Sequence, residues 1–345
     1  MKKMLMAAGM AAVMTACGTA GQKAATDAGN PFLAEYSTPF GVPPFDLIKV
    51  EHYKEAFLKG MEEQKKEIDA IVNQRSVPDF DNTIAAFDQS GELLNKVSTV
   101  FSGLNSCNTN DEMQAFNKEI TPLLSAHRDD ISLNPALFAR VKEVYERREK
   151  LGLDKEQNKL LEETYKKFVR GGANLDSVDQ AKLRQLNSEI SMLQLTFGQN
   201  LLKETNAFEL VIDKKEDLAG LPESLVASAA EAAKGAGMEE KWLFTLHNPS
   251  VMPFLQYADN RELREKIFKG YINRGNNGNE ADNNEIVKKL VALRLEKAKL
   301  MGYADYASYI LEDRMAKNEE NVYRLLNQIW TPAVAKAKEE LSDIQ

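Results

Sequence analysis

Histidine, cysteine and surplus positive charge are all scarce in this sequence. Its 345 residues hold three histidines and two cysteines, and 44 Lys and Arg face 52 Asp and Glu, a formal net charge of −8. That acidic balance argues against nucleic acid as a partner, because such a surface needs a basic face. With only Cys17 and Cys107, neither a disulfide framework nor a four-cysteine zinc site can be built. His52, His127 and His247 leave little material for imidazole chemistry, and the chain contains no His-Glu-x-x-His. A Gly-x-Ser-x-Gly elbow, a phosphate loop and a Gly-x-Gly-x-x-Gly turn are also missing. The most apolar run, Met4 to Ala16, spans about 20 Å as a helix, short of the ~30 Å bilayer core. What is present is globular composition, 43% hydrophobic and 28% charged, enough for one large domain or two ordinary ones.

The amino terminus reads as an address. Lys2 and Lys3 precede the apolar run, as in a secretory signal peptide, and Met14-Thr15-Ala16-Cys17 resembles a bacterial lipobox. Residues 1–16 are then the signal peptide, Cys17 is the acylated residue, and 17–30 form a flexible tether of small residues. The expected product is a periplasmic lipoprotein that meets the membrane only through its lipid anchor. Cys107 is expected to be a buried, inert thiol.

Beyond the tether the pattern is helical. Pro31, Pro39, Pro43 and Pro44, with three phenylalanines, predict an extended segment laid over an apolar surface up to Asp46. Phe57, Met61, Ile68 and Ile71 mark one buried stripe. Ile84, Phe87, Gly91, Leu94, Ser98 and Phe101 mark another, with Gly91 and Ser98 small enough for close helix approach. Leu183 to Leu201 continues the 3,4 spacing on a long helix over about 177–204, with Ser177 and Gln180 as its capping box. Phe208–Ile212 and Trp242–Leu246 break the period and predict an antiparallel strand pair enclosing a small-residue helix. Helices resume with Asp259 and Glu262 as a second capping box, a turn-rich loop at 275–279, and apolar positions at 286, 290, 293, 300, 322, 325, 326 and 329. Residues 339–345 are still amphipathic, with no Gly or Pro stop, so the chain is expected to be cut within a helix. The fold class is mainly α: an elongated helical lobe over 31–345, with one short antiparallel strand pair near 207–247.

No reacting constellation emerges from these residues. His52 shares a helical face with Glu55, but Ala56 stands where a second ligand would be needed. His127, before Arg128-Asp129-Asp130, reads as a local cap or pair, and His247-Asn248-Pro249 as a turn. Arg261, Arg264 and Arg274 interleave with Glu262 and Glu265, which predicts a solvated, salt-bridged face. Tyr303, Tyr306 and Tyr309 are read as packing residues rather than a ligand-stacking platform.

The order of short motifs says more. Asn30-Pro31-Phe32, Pro43-Pro44-Phe45-Asp46, His52-Tyr53 and Gly60-Met61 resemble the amino-terminal region of bacterial peptidyl-dipeptidases of the thimet oligopeptidase family, which are zinc metallopeptidases. Phe80-Asp81-Asn82-Thr83-Ile84, Ser90-Gly91 and Thr109-Asn110-Asp111 continue the match. It is sharpest at Tyr257-Ala258-Asp259-Asn260-Arg261-Glu262-Leu263-Arg264, followed by Arg274-Gly275, Asp282-Asn283 and the run Leu293 to Tyr303. The resemblance implies a two-lobed helical ellipsoid with a deep channel, admitting short peptides and releasing dipeptides from their carboxyl ends. It also implies zinc held by His-Glu-x-x-His and a Glu on the next helix, with the motif's own Glu activating water. None of those positions has a counterpart here, so no catalytic, cofactor-binding or metal-binding residue is carried over. The expected partner is a missing carboxyl-terminal catalytic half, without which this chain is inactive. The competing expectation is a short non-catalytic lipoprotein that binds peptides or a partner protein.

Overall fold

The computed structural model describes residues 29–345, so the Cys17 acylation site, the signal peptide and most of the tether lie outside the described residues. Nearly every element is a helix. The first four are α1 (Val50–Val72), the short α2 (Ala86–Asp88) that continues a π-helical turn at Phe80–Ala85, α3 (Glu92–Cys107) and α4 (Asp111–Ser132). Next come α5 (Pro135–Glu146), α6 (Lys155–Arg170) and the 31-residue α7 (Ser177–Ala207). A two-stranded sheet of β1 (Leu210–Ile212) and β2 (Trp242–Phe244) encloses α8 (Glu223–Gly235). The chain continues through α9 (Asn248–Tyr257), α10 (Arg261–Ile272), α11 (Asn284–Leu300), α12 (Tyr306–Leu311) and α13 (Glu319–Ile344). The mainly α class and the strand pair agree with the sequence reading. The register is antiparallel, with Leu210 opposite Phe244 and Ile212 opposite Trp242.

Short polar side chains start the helices. Asn110, Asn134, Asp154 and Asp305 each accept a backbone N–H of the following first turn, satisfying donors that have no intrahelical partner. Two predicted caps move by one residue. Asp176, not Ser177, caps α7, accepting from Val178 and Asp179 N–H at 2.9 Å each. Asn260, not Asp259, caps α10, accepting from Leu263 N–H at 3.1 Å.

Three cores hold the helices together. In the first, Phe32, Tyr53, Phe57, Phe101 and Phe116 interlock, with ring centroids such as Tyr53–Phe101 at 5.0 Å and Phe101–Phe116 at 5.3 Å. Each such buried ring contributes about 1.5–3 kcal/mol. The second joins α1, α5 and α6 through Ile68, Ile84, Leu137, Leu161 and Phe168. The third packs Leu210, Phe244, Phe254 and Ile267 where the sheet meets α8, α9 and α10. Of the proline-rich segment only Phe32 is buried. Phe40 and Phe45 are exposed, so the segment is anchored at one end rather than laid down along its length.

Close helix approach occurs at the predicted Gly91 and also at Gly60, which the spacing did not mark. A Cβ on Gly60 of α1 would stand 2.9 Å from the backbone of Leu94 in α3, so Gly60 sets that contact. Gly91 starts α3 in the left-handed region at φ 79° and lies against α1. A Cβ there would clash with the Gln64 side chain, and the Gly91 N–H donates to Glu67 at 2.7 Å, whereas Ser98 faces a cavity. The stripe of α7 is also only partly realised: Leu183 and Leu186 are buried, whereas Ile190, Leu193, Phe197 and Leu201 are half-buried.

Candidate functional site

The three histidines are engaged within the chain. His52 accepts from Lys49 N–H through Nδ1 at 3.0 Å, and its carbonyl accepts from Asn30 Nδ2 at 2.7 Å. Asn30 also donates to Glu55 at 3.1 Å, so the Asn-Pro-Phe opening locks the chain onto the first turn of α1. His247 precedes α9, with Nδ1 3.0 Å from Thr245 Oγ1 and Nε2 3.1 Å from Asn206 Oδ1. His127 departs from its local reading. Its Nε2 lies 2.7 Å from Oε1 of Gln64, 63 residues away on α1. Burial, and secondarily the charge of Lys65, pushes its pKa below the usual histidine value, with Asp130 opposing. A neutral ring that donates from Nε2 leaves the buried Nδ1 without a partner.

Other singled-out residues serve as clamps. Glu204, at the end of α7, accepts from the Gly275 N–H, from Asn277 Nδ2 at 2.9 Å and from Asn279 Nδ2 at 2.6 Å. Burial alone would raise its pKa, but those hydrogen bonds prevail and hold it below the ordinary value. Asn283 then ties the far end of the loop to α7, donating to Phe197 O at 3.1 Å and accepting from Asn200 at 3.0 Å. The predicted arginine face is solvated, with Arg261, Glu262 and Glu265 exposed. Among the described residues, however, its arginines make no salt bridge, and Glu265 pairs with Lys269 instead. Arg264 donates to the carbonyls of Ala258 and Asp259, closing the end of α9, while Arg274 donates to Tyr271 O and Thr205 Oγ1. Carbonyls at a helix end compete well because they have no intrahelical donor.

Tyr303, Tyr306 and Tyr309 pack on one another, with Tyr303 and Tyr309 centroids 5.1 Å apart. Arg170 stacks on Tyr309 at 4.7 Å and donates to its carbonyl at 2.6 Å, while Tyr309 Oη donates to Arg170 O at 3.0 Å. This latch joins the end of α6 to α12. A polar seam joins α4, α7 and α11: Asn187 donates to Asp129 at 2.8 Å and accepts from Lys297 at 2.6 Å. Cys107 is exposed at the last position of α3, against the expectation of a buried thiol.

The donor set does not fit a zinc ion. Among the described residues, no group of three His, Cys, Asp or Glu side chains could hold a metal. Two faces instead lack cover. Val287, Val291 and Leu295 are exposed along α11. On α13, Tyr323, Leu326 and Trp330 recur at helical spacing with 63, 51 and 69% exposure, and no α13 residue is buried. Apolar area of this kind on a helix marks an interaction surface.

Comparison with known proteins gives that surface a context. The model of Peptidase family M3 matches residues 254–345, from α9 through α13. Similarity extends far beyond that segment: 316 residues, 92% of the chain, are 40% identical to dipeptidyl carboxypeptidase of Escherichia coli (strain K12). The chain is thus similar, over nearly its whole length, to the amino-terminal half of M3 dipeptidyl carboxypeptidases. The corresponding Salmonella typhimurium protein is 39% identical over 316 residues, and oligopeptidase A of Haemophilus influenzae is 29% identical over 311. The aligned region covers 46, 46 and 45% of those three proteins, so the chain spans about half the length of the curated relatives it matches. Within the M3 segment, the Tyr257–Arg264 motif is the α9–α10 corner, where Asn260 caps one helix and Arg264 closes the other. The Leu293–Tyr303 motif carries Lys297 into the polar seam and ends at the Tyr303–Tyr309 contact. The pairings that sequence reasoning missed, Gln64 with His127 and Glu204 with the 275–279 loop, both join residues more than 60 positions apart.

Proposed function

We propose that this chain is the amino-terminal portion of a zinc-dependent peptidyl-dipeptidase that releases dipeptides from the carboxyl ends of short peptides. The observation that carries the proposal is the 40% identity to a dipeptidyl carboxypeptidase across 92% of the chain. The uncovered faces of α11 and α13 support it. Tyr323, Leu326 and Trp330 would lie against the remaining half of a family-length protein, and that half would supply the zinc ligands and the residue that activates water. Zinc, when bound there, polarises the scissile carbonyl and lowers the pKa of its water. The residues of this chain hold no reacting atom in that reading. They contribute the lobe wall, kept rigid by the Arg170–Tyr309 latch and the Asp129–Asn187–Lys297 seam. The lipid anchor on Cys17 and the periplasmic location belong to the same proposal, supported by the Lys2–Cys17 pattern.

The test is reconstitution. The chain is produced alone and continuous with the reading frame beyond Gln345, and both are assayed on an amino-blocked tetrapeptide. The longer protein is expected to release the carboxyl-terminal dipeptide and to stop on chelation, while the chain alone releases none. Dipeptide release by the pure chain alone, or a reading frame that stops without a His-Glu-x-x-His, would overturn the assignment. Trp330→Asp combined with Leu326→Asp should impair folding of the longer protein but not secondary structure of the chain alone. Labelled palmitate should enter the chain and be lost in Cys17→Ser; equal labelling of that variant would remove the anchor.

A further inference from the structure

Between the first and second cores lies a cavity of about 560 Å³, bounded by α1, α2, α3, α4 and α6. That volume is within the range of small-molecule sites. Its inner wall carries the buried Phe168 together with Leu94 and Phe87, and the Gln64–His127 hydrogen bond closes one side. Helix α3 presents Leu94, Ser98 and Ser102 to the cavity at helical spacing, and the two small serines leave room beside Leu94. The rim is formed by Arg128 and Lys167, both exposed. Among the described residues neither makes a salt bridge, although twenty pairs form elsewhere. Among the described residues Arg128 donates only from Nε, to Leu124 O at 3.2 Å, and its terminal nitrogens make no hydrogen bond.

We propose that this cavity binds a small amphipathic carboxylate, with a compact apolar body against Phe168 and Leu94 and the carboxylate between Arg128 and Lys167. Charge complementarity selects the sign. Two unpaired cations at one rim, one of them a planar fork suited to bidentate pairing, favour a carboxylate over a neutral or cationic group. Ser98 and Ser102 supply hydroxyls for a polar atom along the body. The chemistry is shared by a medium-chain fatty acid and by the carboxyl-terminal residue of an apolar peptide. The proposal does not depend on the peptidase reading.

Isothermal titration of the purified chain tests this with four probes: octanoate, octylamine, acetyl-Ala-Leu and acetyl-Ala-Leu-amide. At least one carboxylate is expected to saturate the chain at one site, with its uncharged or cationic counterpart binding at least about tenfold more weakly. Octanoate binding alone assigns a lipid source, and acetyl-Ala-Leu binding alone assigns a peptide end. Arg128→Gln with Lys167→Gln should weaken that carboxylate by about tenfold or more while circular dichroism stays unchanged, since both side chains are exposed. Ser98→Leu, which fills the cavity, should block binding without touching the charges. The proposal is overturned if no carboxylate saturates at millimolar concentration, if octylamine binds as well as octanoate, or if the double variant binds like the parent.

Discussion

Removing the carboxylate of Glu204 isolates one clamp whose worth can be worked from the structure. Three donors converge on it: the buried Gly275 N–H and the side-chain amides of Asn277 and Asn279. In Glu204→Ala the Gly275 N–H loses its acceptor inside the protein, which costs about 1–3 kcal/mol. Asn277 and Asn279 are exposed and can turn to water, so each contributes no more than a typical intramolecular hydrogen bond, about 1 kcal/mol. The sum is about 3–5 kcal/mol, a large fraction of a typical domain stability. Urea unfolding gives the global value, and hydrogen exchange at Gly275 gives the local one. Glu280 on the same loop is the control. Its ion pair with Lys203 at 2.9 Å lies in solvent, and Glu280→Ala should change nothing measurable. If Glu204→Ala unfolds like the parent and Gly275 exchanges at an unchanged rate, the clamp reasoning is wrong.

The same group fixes a pH dependence. Glu204 has a folded pKa below its ordinary value of 4.5, because the three hydrogen bonds outweigh burial. Its ionised form therefore stabilises the fold fully above pH 4.5, and that stability is lost as pH falls through the lowered folded value. Glu204→Gln keeps the volume and one acceptor oxygen but does not titrate. The gap between parent and Glu204→Gln should be widest near neutrality and close on acidification, whereas a gap that widened in acid would contradict the sign.

Two glycine substitutions should move in opposite directions. Gly60→Ala forces a methyl within 2.9 Å of the Leu94 backbone and should destabilise, overpacking of about 1–3 kcal/mol exceeding any helix-propensity gain. Gly103→Ala, in α3 with nothing near its Cβ, should stabilise by about 0.5–1 kcal/mol; thermal unfolding of both checks this. Cys107 should react within minutes with a chromogenic disulfide in folded Cys17→Ser protein, because it is exposed; a thiol that reacts only after denaturation would restore the buried reading. Arg170→Met removes the stack on Tyr309 and the bond to its carbonyl, so amides across Tyr306–Leu311 should exchange at least about tenfold faster while those of α1 do not change.

How far the sequence carried the fold depended on whether an element's cause was local. Phe57, Met61, Ile68 and Ile71 are all buried as their spacing required, and the strand pair appears because five-residue β-branched and aromatic runs interrupt a helical period. Caps shifted by one residue because Asp176 and Ser177, or Asp259 and Asn260, are both competent; the choice turns on how the chain enters the helix. The 3,4 stepping from Ile84 to Phe101 hid a real break, since apolar spacing does not register the left-handed turn at Gly91. Clamps were illegible for a statistical reason: with 52 carboxylates, nothing local marks Glu204 as the one that meets Gly275.

The apolar stripe of α13 shows where locality ends altogether. Its spacing made a helix certain to be amphipathic, and the structure agrees. Burial, however, belongs to two surfaces, and only one of them lies among the described residues. Tyr323, Leu326 and Trp330 should therefore lose exposure only when a second surface is supplied, which solvent labelling of Trp330 would register. Protection of Trp330 in the chain alone would mean that self-association, not the rest of an M3 peptidase, covers this face. Protection only in the longer protein would tie the stripe to the additional half proposed for that protein.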